Sequence, residues 1–296
     1  MKMEQLFEEM KTGVIYENLD LKQIIEENGS QHVVDELLNN IGNTHSLIRE
    51  NIYSVTYTLI DEKFISHEEC IRIFETCLSD RHLFKGIGGK DDDTVFVRAF
   101  SSLIVAAIVS VDKKHNLLSE EQYMFALNKG IEYMEQEVDR RGFVLGKGWA
   151  HAVGHGTYMF NALIDHENFP MEYADKILNC IKVHITSGHR FVDQDEKSLA
   201  CAIPLLLEKG LSEDVVQTWI DSLLPKIRSK AYTDEHYQDV FNLFNIEYFL
   251  TALHFTLAEE EVGDELRKHL IQYVPTMWER AHADDESELS LEGEKQ

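Results

Sequence analysis

The chain has few of the residues that break or staple a fold. Only four prolines and four cysteines occur among its 296 residues, and runs of strictly alternating apolar and polar residues are short. Apolar residues recur instead at steps of three and four positions, which is the spacing of a helix face. A chain of this length buries roughly three quarters of the surface that its unfolded form exposes, so it needs no metal or disulfide to be stable. We predict an all-α fold that requires no cofactor.

The few cysteines are scattered and form no CxxC pair. Cys70, Cys77, Cys180 and Cys201 are therefore expected to be small, buried side chains in a reducing compartment. The first residues, 1–9, lack the apolar stretch and the cleavage site of a signal peptide. Together these features predict a cytoplasmic protein.

Basic residues are also scarce, with 28 Lys and Arg against 53 Asp and Glu, a formal net charge of −25. This charge repels the phosphates that dominate nucleic-acid affinity and disfavours anionic membrane surfaces. By inspection, no apolar run reaches the roughly 18 residues of a membrane-spanning helix. We expect a protein, a peptide or a small polar ligand as partner, with no nucleic acid and no membrane.

Similar helix starts recur along the chain at a step of nearly fifty residues. Each opens an apolar helical run, and the five lie at 43–49, 93–98, 147–151, 195–199 and 244–248. A second helix follows each run. Its start is marked by a capping box at 66–69 and 119–122, by Pro170, or by Ser212 ahead of two acidic residues.

Repeated helix pairs are typical of an α/α solenoid, in which neighbouring pairs bury what one pair cannot. We predict a HEAT-like array of about five pairs, with a closed α/α toroid as the alternative. Short helices at 3–10, 21–27 and 33–38 would cap its amino-terminal end. No linker rich in Gly, Pro or Ser divides the chain, so we predict one domain over 1–282. The acidic residues 283–296 would form a disordered tail.

Polar residues collect where one helix pair leads into the next. In a stack of pairs these connections share one edge, so we expect a ligand site there. The candidate ligand-binding residues are Arg98, Asp139, Arg140, Trp149, His151, His155, Asp195 and Glu196. The alternative is that loops are polar because they are hydrated and because helix starts favour Asp and Asn.

The densest group of candidates is the stretch 146–158. On a helix, His151, His155 and Tyr158 would share one face, and Gly154 and Gly156 would permit close approach of another backbone or a ligand. Two histidines four positions apart can hold a divalent transition metal. The stretch has Ala152 where a zincin has its glutamate.

A third metal ligand would come from the next connection, where the candidates are His189, Asp193, Asp195 and Glu196. Two alternatives remain open for the histidine pair. It could line a polar ligand pocket without metal, or it could be hydrogen-bonded between repeats in a purely structural role.

Several motifs between 77 and 202 resemble a bacterial family known as domain of unknown function 2785. The motifs occur in the family's order, and they lie at 80–84, 95–101, 137–143, 148–156 and 191–200. The resemblance implies a helical cytoplasmic bacterial protein and no particular activity. The family pattern often carries Ala and Asp where this chain has Gly154 and Tyr158, so an acidic ligand from this helix is not expected.

Two functional hypotheses follow. The first is a non-enzymatic binding or scaffold protein with a polar site on the edge formed by the inter-repeat loops. The alternative is a metal-assisted hydrolase centred on His151 and His155. In it, Asp195 or Glu196 would complete the metal shell or act as general base, while Arg98 or Arg140 would hold an anionic substrate group.

Overall fold

The computed structural model describes residues 3–12, 20–223 and 237–282, with side chains as far as 273. Contacts divide the chain into two compact units, 1–170 and 171–296. The predicted single domain over 1–282 stays a prediction. The predicted tail, 283–296, lies outside the described residues.

The first unit is helical apart from one short hairpin, which confirms the all-α prediction for its described part. In chain order its elements are α1 (Met3–Lys11), α2 (Leu21–Asn28), α3 (Ser30–Asn40), α4 (Ser46–Asp61), α5 (His67–Cys77), α6 (Thr94–His115), α7 (Glu120–Gln136), β1 (Phe143–Val144), β2 (Gly148–Trp149) and α8 (Ala152–Asp165).

The second unit is helical throughout its described residues. A short 3₁₀ helix (Met171–Tyr173) is followed by α9 (Ala174–Ile185), α10 (Asp195–Ala200), α11 (Ala202–Glu208), α12 (Glu213–Asp221), α13 (Tyr237–Glu259) and α14 (Asp264–His282). The break between α10 and α11 has a local cause. Pro204 has no N–H to donate to the carbonyl of Ala200, so one helix ends where that bond would form.

Helix boundaries follow the capping chemistry of the sequence. Ser66 and Ser119 each form a complete capping box, with Glu69 and Gln122 respectively, as predicted. The Ser212 side chain likewise accepts from the backbone N–H of Val215 at the start of α12. These starts fix where the second helix of several predicted pairs begins.

The centre of the first unit is α6, which packs against α4, α5, α7 and α8. Its length and its mean hydropathy of 2.1 would suffice for a membrane span, so the expectation that no run of that kind exists was wrong. The reason is that α6 is apolar on nearly all sides. The mean hydropathy refers to an 18-residue stretch of α6, and 83% of that stretch is buried within the protein, as in the core helix of a folded domain.

The second unit is centred on α13, which packs against α9, α10, α11 and α14. Its buried residues include Ile246, Phe249 and Leu253. The cysteine prediction is confirmed for Cys70, Cys77 and Cys180, which are buried thiols, whereas Cys201 is partly exposed.

Two of the predicted helix starts differ from the structure. Residues 147–151 open no helix, because Gly148 and His151 have φ angles of +78° and +46°, outside the right-handed helical region. Helix α13 begins at Tyr237, ahead of the predicted 244. The prediction that another backbone or a ligand approaches Gly156 also differs from the structure. A Cβ there would lie 2.3 Å from Sδ of Met134, so side chains of α7 occupy that space.

Candidate functional site

A β-hairpin precedes α8 on the first unit. Phe143 pairs with Trp149 and Val144 with Gly148 in antiparallel register, and the backbone N–H of Lys147 closes the turn onto the carbonyl of Val144 at 2.9 Å. Sequence reasoning placed part of this segment on a helix. The glycines give the signal that was missed, because positive φ is easy only for residues without a Cβ.

Arg49 of α4 holds the hairpin in place by hydrogen bonds to its backbone. Its guanidinium is fully buried and donates to the carbonyls of Asn43 (2.5 Å), Lys147 (2.8 Å) and Trp149 (2.8 Å). The guanidinium carbon of Arg49 also lies 4.2 Å from the ring centroid of Phe96 and 4.9 Å from that of Phe100, both on α6. One side chain therefore ties α4 and α6 to the hairpin.

The charge of Arg49 persists in this setting. Burial lowers the pKa of Arg49 to about 10, and the nearby carboxylates of Glu50 and Asp93 oppose that fall. At neutral pH the guanidinium is still charged. Its hydrogen bonds to carbonyls are thus charge-assisted, and these are stronger than neutral ones.

Aromatic and imidazole rings form a continuous row from the hairpin onto α8, which we call the ring row. Consecutive ring centroids lie 5.0 Å (Phe143 to Trp149), 4.5 Å (Trp149 to His151), 5.9 Å (His151 to His155) and 6.5 Å (His155 to Tyr158) apart. Trp149 and His151 are stacked at 17°. The structure thus brings together three predicted residues, Trp149, His151 and His155.

His151 occupies a different position from the one predicted. It lies just ahead of α8, as its N-cap residue, in the left-handed conformation. Its backbone carbonyl still accepts the N–H of His155 at 2.8 Å. Non-glycine residues held at positive φ are strained and cluster at functional sites, so this conformation marks the row as a place of interest.

His155 is the most deeply set ring of the row. It is half-buried, packs edge-on against Phe100 at 5.1 Å, and donates to the backbone carbonyl of Ala99. Its Nδ1 atom is buried and has no hydrogen-bond partner among the described residues. Burial, followed by repulsion from His151 and Arg49, lowers the pKa of His155 to about 3, so the ring is neutral at physiological pH.

Arg98 makes a buried ion pair elsewhere in the first unit. Both charged side chains are fully buried, with Arg98 Nε 2.6 Å from Oε2 of Glu137 and Nη2 3.1 Å from Oε1. Its Nη1 donates to the carbonyl of Lys85 at 2.8 Å and to the hydroxyl of Thr94 at 2.7 Å. These contacts join α6 to the loops on either side of the α6–α7 pair.

Asp139 and Arg140 lie close to that ion pair along the chain. The buried carboxylate of Asp139 accepts from Arg141 Nη2 at 2.6 Å and from the backbone N–H of Asp91 at 3.2 Å. Arg140 donates to the carbonyl of Val138, and burial lowers its pKa. Arg98 and Asp139 thus use their polar atoms to connect loops, while the ring row presents its side chains at the surface.

Asp195 and Glu196 belong to the second unit, at the start of α10. Both are buried, and the Glu196 carboxylate lies 3.7 Å from Arg190. Burial raises the pKa of Glu196, Arg190 opposes that rise and Asp195 adds to it. Within this unit these two predicted residues lie beside one another.

The metal hypothesis needs His151 and His155 as ligands, and their ring centroids lie 5.9 Å apart, with His155 hydrogen-bonded to the carbonyl of Ala99. No group of three or more His, Cys, Asp or Glu side chains suited to a metal occurs among the described residues. The candidates for a third ligand on the next connection all belong to the second unit. The described geometry therefore supports a ring surface better than a metal centre.

Sequence reasoning missed Arg49, Phe143 and Leu145. The repeat could have indicated Arg49, because Arg49 follows its helix start just as Arg98 follows the start in the next repeat. Phe143 and Leu145 were hidden by the absence of an alternating strand pattern in so short a hairpin.

A family model described as a protein of unknown function (DUF2785) matches residues 83–255, which is more than half of the chain. The matched range contains the hairpin and the whole ring row. No curated protein and no solved structure matches the chain.

The two glycines of the hairpin give a matched test of its seat on α4. Gly146 and Gly148 both have φ of +78°, but a Cβ at Gly148 would lie 2.5 Å from Cβ of Ser46, whereas nothing lies within 4 Å at Gly146. We expect Gly146→Ala to cost about 1–2 kcal/mol of left-handed strain. Gly148→Ala should cost about 1–3 kcal/mol more from the clash. Urea unfolding monitored by circular dichroism measures both, and equal losses would contradict this packing.

The neutral state of His155 predicts a pH dependence of stability. Between the ordinary pKa of about 6.5 and the folded value of about 3, the unfolded chain binds a proton that the native state does not. The free energy of unfolding should therefore fall as the pH drops from about 7 to about 5. Relative to His155→Gln, the wild type should lose at most about 1.4 kcal/mol more per pH unit. Urea unfolding at each pH measures these free energies. If the free energy of unfolding changed equally with pH in the two proteins, His155 would not be held neutral.

Proposed function

This chain belongs to the DUF2785 family of proteins of unknown function, and we propose from its site that it is a non-enzymatic binding protein. Its ligand is a basic peptide segment of a partner protein. The segment docks on the surface formed by the hairpin, residues 143–149, and the ring row. Binding takes place in the cytoplasm. The protein binds neither nucleic acid nor membranes.

The exposure of large apolar side chains carries the proposal. Phe143 is 54% exposed, Leu145 92%, Trp149 40% and Tyr158 55%. Isolated exposed apolar residues are normal, but a contiguous group of them marks an interaction site. Aromatic residues are also the side chains that contribute most of the energy at protein interfaces.

Charge selects the kind of peptide. The hairpin lies beside the aspartate run 91–93, since Lys147 pairs with Asp93 at 2.6 Å and Arg141 donates to the backbone carbonyl of Asp92 at 2.7 Å. The Asp91 side chain is 82% exposed, and its carboxylate lies 3.8 Å from Nε of Arg141. Carboxylates and ring faces both attract Lys and Arg side chains, and the net charge of −25 steers a basic partner toward the protein. The same charge repels nucleic acid and anionic lipid.

The support beneath the surface favours binding. Arg49 holds the hairpin by the carbonyls of Lys147 and Trp149, and His151 stacks under Trp149. Side chains already fixed in the free protein lose little further entropy when a partner docks. The protein thus offers a surface that needs little rearrangement.

Labelled peptides test this function. One short peptide alternates Arg with Leu, and its matched control has Gln in place of Arg. We expect the wild type to bind the Arg peptide, and Trp149→Ala or Tyr158→Ala to weaken binding about tenfold or more, because aromatic hot spots contribute about 2 kcal/mol or more. Phe125→Ala is the matched control, since Phe125 is 49% exposed on α7, away from the ring row in sequence. Fluorescence anisotropy measures affinity, and salt should weaken it.

Each arm of that experiment can fail separately. Equal affinity for the Arg and Gln peptides would remove charge as the basis of selection. If Trp149→Ala and Phe125→Ala had equal effects, the ring row would not be the docking surface.

For the architecture, we propose that the helix pairs stack as a HEAT-like solenoid of about five pairs, with a closed toroid as the alternative. The support comes from hydrogen bonds between residues near fifty positions apart, the period of the predicted repeat. In the first unit, Lys114 reaches Asp61 across 53 positions and His166 reaches Asp112 across 54. In the second unit, Leu266 reaches Glu213 across 53 positions. Such bonds are expected where equivalent positions of neighbouring repeats meet.

A distance between the first and last pairs distinguishes the two architectures. Spin labels at Leu47→Cys on α4 and Ile271→Cys on α14 occupy exposed positions, with the partly exposed Cys201 changed to Ala. Four steps of roughly 8–10 Å between neighbouring pairs predict a separation of about 32–40 Å for a solenoid. A separation of about 15 Å or less, measured by pulsed electron resonance, would mean that the ends meet as in a toroid.

A further inference from the structure

A cavity of about 430 Å³ lies in the second unit, apart from the ring row in sequence and chemistry. Its walls come from the segment 190–197 and from α13, and they include Arg190, Phe191, Glu196, Lys197, Tyr248 and Thr251. Sites of this volume are typical for small organic ligands. The proposed docking surface does not include this cavity.

Arg190 is the main polar group of the cavity. Its guanidinium carbon lies 5.2 Å from the Phe244 ring and 4.9 Å from the Tyr248 ring. Its hydrogen bond to Oδ1 of Asn245 is long, at 3.4 Å, and its contact with Glu196 at 3.7 Å exceeds hydrogen-bond distance. The guanidinium is thus oriented chiefly by the two rings, and its planar fork of donors can serve a ligand.

The charged side chains that line the cavity do not balance. Arg190 and the exposed Lys197 are cationic, whereas the buried Glu196 contributes one carboxylate. Loss of hydration raises the pKa of that carboxyl group, and Arg190 opposes the rise. The lining thus has one more cation than carboxylate, while Asp193 and the buried Asp195 lie in the same segment outside the lining. Arg190 is therefore the group that a ligand carboxylate would meet in the cavity.

We propose that the cavity binds a small organic monocarboxylate. The ligand's carboxylate takes the bidentate fork of Arg190, with Lys197 as a second, exposed cation. Its apolar body lies against Phe191, Tyr248 and Thr251. A compact planar or branched body suits this volume.

Benzoate and benzamide are matched probes, because they share a ring and differ in charge. With the full chain, calorimetry should show saturable binding of benzoate and at least about tenfold weaker binding of benzamide, the effect of removing a charge-assisted pair. Arg190→Gln should weaken benzoate binding more than about tenfold. Lys197→Gln should weaken it only a few-fold, because its cation is exposed. Lys268→Gln, an exposed lysine on α14 of the same unit, should have no effect.

A variant that fills the cavity keeps the test decisive if Arg190→Gln does not fold. Thr251 is exposed at the cavity wall, so Thr251→Trp leaves the contacts of Arg190 in place and occludes the space. It should abolish benzoate binding with an unchanged circular dichroism spectrum. The proposal is overturned if benzoate does not bind saturably, if benzamide binds equally well, or if folded Thr251→Trp binds benzoate like the wild type.

Discussion

The buried guanidinium of Arg49 is the interaction on which the rest of the first unit's surface depends. An isolated buried charge is costly, and here three carbonyls and the ring faces of Phe96 and Phe100 surround the guanidinium, while its Nε has no hydrogen-bond partner among the described residues. Because two of those carbonyls belong to Lys147 and Trp149, the charge is satisfied only when the hairpin is in place. The hairpin in turn sets the position of Trp149, on which His151 stacks. The exposed ring row is thus a consequence of an electrostatic requirement in the core.

Arg98 follows the next helix start and meets the same requirement differently. It has a buried carboxylate partner in Glu137, and its remaining donors reach the loop before α6. Buried ion pairs of this kind add little net stability over apolar packing, but removing one partner is strongly destabilising. The two arginines therefore specify how loops attach to α6 more than they add to stability. At Arg98 the attached loop covers the buried ion pair. At Arg49 the attached segment is a hairpin with exposed apolar side chains.

Sequence patterns predicted the helices better than the site. Helical periodicity and the capping boxes at Ser66 and Ser119 fixed element type and several starts, because both depend on residues within one turn. The hairpin was not predicted, since two residues per strand give no alternation to detect. His151 and His155 were recognised, but the conformation of His151 depends on hairpin pairing that spacing does not reveal. Arg49 was missed because its partners lie about a hundred positions away.

If the buried charge of Arg49 fixes the hairpin as a docking surface, a basic peptide binds on residues 143–158. An NMR titration of the full chain with the Arg–Leu peptide tests it most directly, through the backbone amides, the Trp149 indole and the imidazoles of His151 and His155. The account predicts saturable shift changes concentrated on the hairpin and the start of α8. Shift changes confined to the second unit, or no shift changes at any peptide concentration of the titration, would contradict it.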